Sequence, residues 1–298
     1  MARRFLAMGE CMVELAPLEA EGHYQRRFAG DTFNTAWYTA QLSAGTGLEV
    51  SYLTAVGQDD ISDDMLAFME GSGVQPIAAR RADRTLGLYM ISLVKGERSF
   101  AYWRSQAAAR TFVDDLDTLP GLESGDVAYF SGITLGILTA DRREKLLSLL
   151  AEARARGAIL AFDMNLRPKL WDSTETMCAA VEEAAGVADM VFPSFDDEAQ
   201  FFGDASPEAT ARRYLALGAK TAVVRNGPDP VLIATAELQS WIEPAKVPEI
   251  VDTTAAGDSF NGGFFAKYLN GASVEDAARY GCEIAGKVIA QRGALVSL

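Results

Sequence analysis

From about residue 105 onward the chain alternates short runs of β-branched and aromatic residues with longer stretches of helical period, and this alternation restricts the fold more than any other feature. The spacing predicts strands at Val127 to Ile133, Ala158 to Asn165, Met190 to Ser194 and Thr221 to Arg225. Between them, Thr139 to Arg156 carries Leu146, Leu147, Leu149, Leu150 and Ala153 at helical spacing and stops at Gly157. Pro207 to Leu217 opens with Ser206 as N-cap and proline at the first helical position. Ser273-Val-Glu-Asp276 has the spacing of a capping box and starts a last helix running towards Gln291. These are βα units, which place parallel strands in one sheet with helices on its faces.

The first hundred residues follow another pattern. After a strand at Phe5 to Gly9, the segments Met12 to Leu18 and Tyr24 to Phe28 are extended, and Gly87 to Val94 with Arg98 to Arg104 predict a hairpin around Lys95-Gly96-Glu97. Helices from Asn34 to Leu42 and from Ile61 to Met69 separate the two pairs. The expected architecture is a three-layer α/β/α body with a mostly parallel central sheet and a small β-sheet lid made from two separated stretches. The body takes about 1–10, 30–80 and 105–298, and the lid about 11–29 and 81–104, within a single unit of residues 1–298. No internal repeat or low-complexity tract divides the chain.

Composition then removes whole classes of chemistry. Lys and Arg number 27 against 41 Asp and Glu, and the resulting charge of -14 repels nucleic acid and anionic lipid unless cations are concentrated, whereas the basic residues occur as isolated pairs. Neither kind of partner is expected. An anionic substrate would require a local pocket of its own. The three cysteines, Cys11, Cys178 and Cys282, are far apart and form neither a disulfide framework nor a zinc site. The single histidine, His23, rules out a multi-histidine metal centre. The apolar run after Arg4 ends at Glu10, too short for a signal peptide, and charges interrupt every stretch long enough to span a bilayer. A cytoplasmic protein is expected.

The most informative segment is Asp252-Thr253-Thr254-Ala255-Ala256-Gly257-Asp258-Ser259-Phe260. Phe260, Phe264, Phe265, Tyr268 and Leu269 share a helical face, so small residues stand where a loop turns into a helix. Such a helix start offers unpaired N–H groups and a positive dipole end to a phosphate. Asp258 beside it is placed to take a proton from a hydroxyl attacking a phosphoryl group. On spacing alone, plain N-capping by Asp258 ranks ahead of that role.

Asp252 to Asp258 resembles the C-terminal signature of the ribokinase-like, or PfkB, family of carbohydrate kinases. Gly30-Asp31-Thr-Phe-Asn34 and Ala55-Val-Gly-Gln-Asp59 are similar to two further family segments, in the same order along the chain. Ala255 replaces the usual glycine, which a helix start tolerates if φ there stays negative. Within the family, Gly9-Glu10-Cys-Met-Val-Glu14, Gly87-Leu-Tyr89, Phe100-Ala-Tyr102-Trp103-Arg104 and Asp163-Met-Asn165-Leu-Arg167-Pro168 resemble kinases of the sugar acid 2-keto-3-deoxygluconate.

The resemblance implies a ribokinase-like fold, ATP and Mg2+, and phosphorylation of the 6-hydroxyl of that acid with Asp258 as general base. Ala255, Ala256 and Gly257 would form the anion hole. Gly30, Asp31, Asn34, Tyr89, Tyr102, Arg104 and Arg167 would bind the sugar acid, the arginines offering planar forks to its carboxylate. Asn165, Ser194, Arg225 and Gly227, with Ala255 and Gly257, would face ATP. Asp197 and Glu198 are alternatives for reaching Mg2+ through water. A homodimer joined through the lids is expected. A kinase of a neutral sugar such as fructose or ribose stands as the alternative, followed by a sugar-acid sensor without turnover. The chain has no G-x-G-x-x-G after a strand and no P-loop.

Overall fold

The computed structural model describes residues 3–18, 20, 22–94 and 97–298. In chain order the first part contains β1 (Arg4–Met8), β2 (Met12–Pro17), β3 (Tyr24–Ala29), α1 (Asp31–Leu42), β4 (Glu49–Gly57), α2 (Asp60–Gly71), β5 (Gln75–Arg81), β6 (Leu88–Val94) and β7 (Glu97–Trp103). The second part contains β8 (Val127–Ser131), α3 (Gly132–Gly136), α4 (Ala140–Ala155), β9 (Ile159–Asp163), α5 (Thr174–Val187), β10 (Met190–Val191), α6 (Phe195–Phe202), α7 (Pro207–Leu217), β11 (Thr221–Asn226), β12 (Asp229–Ala234), β13 (Gln239–Ile242), α8 (Ala256–Tyr268) and α9 (Val274–Ile289). Lys95 and Gly96, the expected centre of the β6–β7 turn, lie outside the described residues.

A nine-stranded sheet has the order β13-β12-β11-β10-β9-β8-β1-β4-β5. It is parallel from β11 to β5, and β12 and β13 close one edge as antiparallel strands. Its central strands are apolar on both faces because helices cover both. In β1, Leu6 and Met8 belong to the buried cluster on one face of the sheet, which also holds Leu146, Met177 and Tyr214 of α4, α5 and α7. Phe5 and Ala7, one residue out of phase, belong to the cluster on the other face, with Phe33, Met65, Phe265 and Ala278 of α1, α2, α8 and α9, and the Phe5 ring lies 4.9 Å from that of Phe265.

The helix starts follow local chemistry. Ser206 Oγ accepts the Ala209 N–H at 3.3 Å with Pro207 behind it, and Ser273 Oγ accepts the Asp276 N–H at 3.1 Å. Ser131 and Thr134 form a full capping box at α3.

A second, four-stranded sheet has the order β3-β2-β6-β7. It joins two antiparallel pairs through the parallel contact of β2 with β6, with Glu14 opposite Tyr89 and Tyr89 opposite Tyr102. One side of it anchors to the body through Val13 and Phe28, both buried, with Phe28 against Phe68 of α2. Among the described residues no helix is long and apolar enough to cross a membrane, and the three cysteines are free.

Candidate active site

The carboxyl ends of the central parallel strands and the first turns of α1 and α8 open into a cleft of about 400 Å3 roofed by the small sheet. Ligands of open parallel sheets bind at this end, where loops diverge and helix N-termini point inward. The cleft brings together Gly30, Asp31, Asn34, Tyr89, Tyr102, Arg104, Asn165, Arg167, Ser194, Asp197, Arg225, Ala255, Ala256, Gly257 and Asp258. Gly227 and Glu198 are not among its lining residues.

At the start of α8, Asp252 accepts the Thr254 N–H at 3.0 Å and the Gly293 N–H at 2.8 Å, tying the loop to the C-terminal segment. The condition under which alanine replaces glycine without cost, a negative φ, is not met: Ala255 adopts φ 59° and ψ 19°, a left-handed conformation. The chain must reverse sharply to begin α8, and alanine bears there the steric strain that glycine would avoid. Ala256 N–H is directed to the Thr253 carbonyl at 3.2 Å, while the next N–H groups of the first turn find no backbone acceptor among the described residues. A Cβ at Gly257 would stand 2.6 Å from Arg225 Nη1, so a side chain there would displace that guanidinium.

Asp258 occupies the first turn of α8, and its Oδ2 accepts a hydrogen bond from Asn34 Nδ2 at 2.8 Å. Burial, reinforced by the Asp31 and Asp163 carboxylates and opposed by Asn34 and Arg225, pushes its pKa up to about 8. Asn34 also accepts the Gly30 N–H at 3.3 Å, so its amide orientation is fixed from both ends. Gly30 has extended backbone and is required by space: a Cβ there would lie 2.1 Å from the Glu10 carbonyl oxygen. Asp31 accepts from Ser131 Oγ and from Asn165 Nδ2, the latter at 2.9 Å, and burial raises its pKa against those two bonds. Asn165 holds φ 34°, a conformation asparagine reaches more readily than most residues.

On the small sheet, Tyr89 donates its hydroxyl proton to buried Glu14, so that proton is already committed within the sheet. Its ring lies 5.9 Å from that of Tyr102, whose side chain is exposed. Arg104 sits over the Tyr102 ring at 5.8 Å and forms an ion pair through Nη2 with Glu10, a carboxylate with only 1% exposure. Arg167 donates to the Leu166 carbonyl at 2.8 Å and has no ion pair among the described residues.

At the opposite end of the cleft, Arg225 clasps Asp163 with bonds of 2.6 and 3.1 Å and donates to the Phe192 carbonyl at 2.7 Å. Ser194 caps α6 and bridges to Arg225. Gly227 lies in the tight turn between β11 and β12 at φ 57°. Asp197 faces the cleft; burial raises its pKa while Arg167 and Arg225 lower it. Glu198 points the other way, fully buried, accepting from Tyr214 at 2.8 Å and from Arg213 at 2.7 Å. Adjacent helical residues diverge by about 100°, so only one of the two carboxylates can face the cleft. Among the described residues no three candidate ligands form a metal cage. This donor set suits a Mg2+ that arrives on nucleotide oxygens, because Mg2+ keeps several waters and takes few protein carboxylates.

Three residues without an assigned role in the sequence reading are structurally central. Asp163 also accepts from Asn261 Nδ2 at 2.7 Å, and that amide donates to Tyr129 Oη at 2.9 Å. Glu10 faces Arg104. The available signal was a carboxylate at or just after the end of an apolar strand, in Asp163 and Glu10 alike; Asn261 gave none beyond its helix.

Residues 2–298 match the pfkB family carbohydrate kinase model. The chain is 40% identical to the 2-dehydro-3-deoxygluconokinase of Escherichia coli strain K12, over 99% of this chain and 98% of that protein. It is 39% identical to the protein of the same name from Dickeya dadantii, over 98% and 96%. A crystal structure of a PfkB protein from Polaromonas sp. JS666 superposes with a TM-score of 0.84 at 28% identity, covering 97% of this chain and 96% of that one. The chain therefore belongs to the pfkB family of carbohydrate kinases and is an ATP-dependent sugar kinase.

Proposed function

We propose that the protein transfers the γ-phosphoryl group of ATP to the 6-hydroxyl of 2-keto-3-deoxygluconate, with Asp258 as general base. The observation that carries this reading is the setting of Asp258: buried in the first turn of α8, oriented by Asn34, and with a pKa near 8. A base in that range is partly ionised near neutrality and accepts a proton more strongly than an ordinary aspartate. Asn34 holds Oδ2, which leaves Oδ1 to take the hydroxyl proton. The freed oxygen then bonds to the γ-phosphorus as the bond to the ADP oxygen breaks. The open N–H groups of the α8 start face the charge on the transferring group.

Gly30, Asp31 and Asn34 bind sugar hydroxyls in this reading, with Tyr102 closing from the small sheet as a lid. Arg104 and Arg167 meet the substrate carboxylate. ATP lies along Asn165, Ser194, Arg225 and Gly227. Bound Mg2+ would neutralise phosphate oxygens, with Asp197 reaching it through water. The names of the two relatives support the choice of sugar acid. A cytoplasmic setting agrees with three free thiols.

A coupled ADP-release assay comparing 2-keto-3-deoxygluconate, fructose and ribose tests this, with Asp258→Asn as control. Turnover selective for the keto acid and lost in the variant supports it. Preference for fructose or ribose removes the sugar-acid assignment and keeps the kinase. Binding of the acid with no turnover on any of the three sugars points to a sensor.

A further inference from the structure

The arginine facing the cleft from the small sheet carries no net charge to spare. Arg104 is paired with Glu10, which is buried beside it, so an incoming carboxylate meets a neutral couple and the repulsion of a second carboxylate. Hydrogen-bond geometry is available there; attraction at a distance is not.

The missing charge lies next door. A second cavity of about 1190 Å3 shares Phe100, Tyr102, Arg104 and Arg167 with the active-site cleft and continues to Arg110 and Lys169. Among the described residues no Asp or Glu lines it. Among the described residues Arg110, Arg167 and Lys169 form no ion pair, although carboxylates outnumber cations 41 to 27 in the chain. An isolated surface cation would be unremarked, but Arg110 is half-buried and stands on a short 3-10 turn, Ala108–Thr111, whose Ala108 and Ala109 are locked into the core. It is near enough to Glu10 and Arg104 for each to shift its titration: burial and Arg104 lower its pKa, and Glu10 opposes them.

We infer that Arg110 is a specificity-determining residue, adding to the unpaired Arg167 of the cleft a second positive charge that draws acidic sugars to this site, while the Glu10–Arg104 couple supplies directional hydrogen bonds. The inference rests on the sugar-acid reading above. Arg110 acts across the cavity on the substrate carboxylate and takes no part in proton or phosphoryl transfer.

The test compares KM and kcat of wild type, Arg110→Met and Arg110→Lys with 2-keto-3-deoxygluconate at low and high salt. Arg110→Met should raise KM roughly tenfold at low salt, the effect of a unit charge about 10 Å away in an effective dielectric near 20. Its kcat should stay within about threefold, Arg110→Lys should restore most of KM, and about 0.5 M salt should shrink the difference. Tryptophan fluorescence from Trp103, which lines the same cavity, gives a binding titration independent of turnover. An unchanged KM in Arg110→Met, with wild type still selecting the acid, overturns the inference and leaves the sugar-acid reading standing. Equal impairment of Met and Lys variants also overturns it, since shape rather than charge would then matter. Wild type that ignores the acid overturns both.

Discussion

Asn34 Nδ2 and Asp258 Oδ2 meet at 2.8 Å across 224 residues of sequence, joining the first turn of α1 to the first turn of α8. The bond fixes which carboxylate oxygen is free. Asp258 is surrounded by Asp31 and Asp163, and burial is the largest influence on it, so the proton binds more tightly than to an aspartate in water. The value of kcat/KM should therefore fall tenfold for each unit of pH below about 8 and level off above it. A pH–rate profile that is flat from 6 to 9 would contradict this setting of the base.

The same burial has a cost in stability. The folded-state pKa of Asp258 lies above its unfolded value of 3.8, so the folded protein holds an extra proton between the two values and loses stability as pH rises through about 8. Asp258→Asn removes that titration. The variant should lose activity by a factor on the order of 10² to 10⁴ while becoming more resistant to denaturant at pH 8 than wild type. Urea melts at pH 5 and pH 8 check it, the gain being larger at the higher pH.

Ala255 holds a left-handed backbone that glycine adopts without steric strain. Replacing it with glycine relieves the left-handed backbone at φ 59° and should stabilise the protein by about 1 kcal/mol, partly offset by the greater freedom of glycine when unfolded. Thermal melting should move up by about 2 °C. No increase would mean that the surrounding loop tolerates the conformation without strain.

Much of the fold was legible because its pattern is local. Pro207–Leu217 begins and ends where Ser206, Pro207 and Gly218 dictate, and β8, β9 and β11 were visible as apolar runs. The β12–β13 pair was not, because Asn226-Gly227-Pro228 after β11 marks a turn without showing that the chain returns beside β11, where Asn226 pairs with Asp229 across a hairpin. The cleft members were named from motifs, whereas their partners were hidden. Nothing in sequence places Glu10 against Arg104, 94 residues away, or Arg225 on Asp163, 62 residues away. Asp197 and Glu198 could not be separated until the register of α6 was known.

Glu198 is a structural residue by its surroundings. It is enclosed with Arg213, which also binds Asp204 at 2.7 Å and lies 3.9 Å from the Phe202 ring centre. Arg213→Ala would leave a buried carboxylate without its cation and should cost about 3 kcal/mol. Sugar and ATP KM values should stay near wild type, since neither residue lines the cleft. A large change in KM with intact stability would place this cluster in catalysis instead.

The small sheet is the remaining surface without an explanation inside one chain. Its edges, β3 and β7, are open, and β7 displays Phe100, Tyr102 and Trp103 with 41%, 51% and 57% exposure. An edge strand bearing three exposed aromatics is a surface on which pairing with a second copy of the chain is expected. Because Phe100 and Tyr102 also line the cleft, such pairing would wall the site from the side that one chain leaves open. Sedimentation at micromolar concentration should give roughly twice the chain mass of 32.1 kDa. Phe100→Arg should shift that equilibrium towards single chains and raise the sugar KM in parallel; a wild-type protein that sediments as a monomer with full activity would show that the small sheet closes the site unaided.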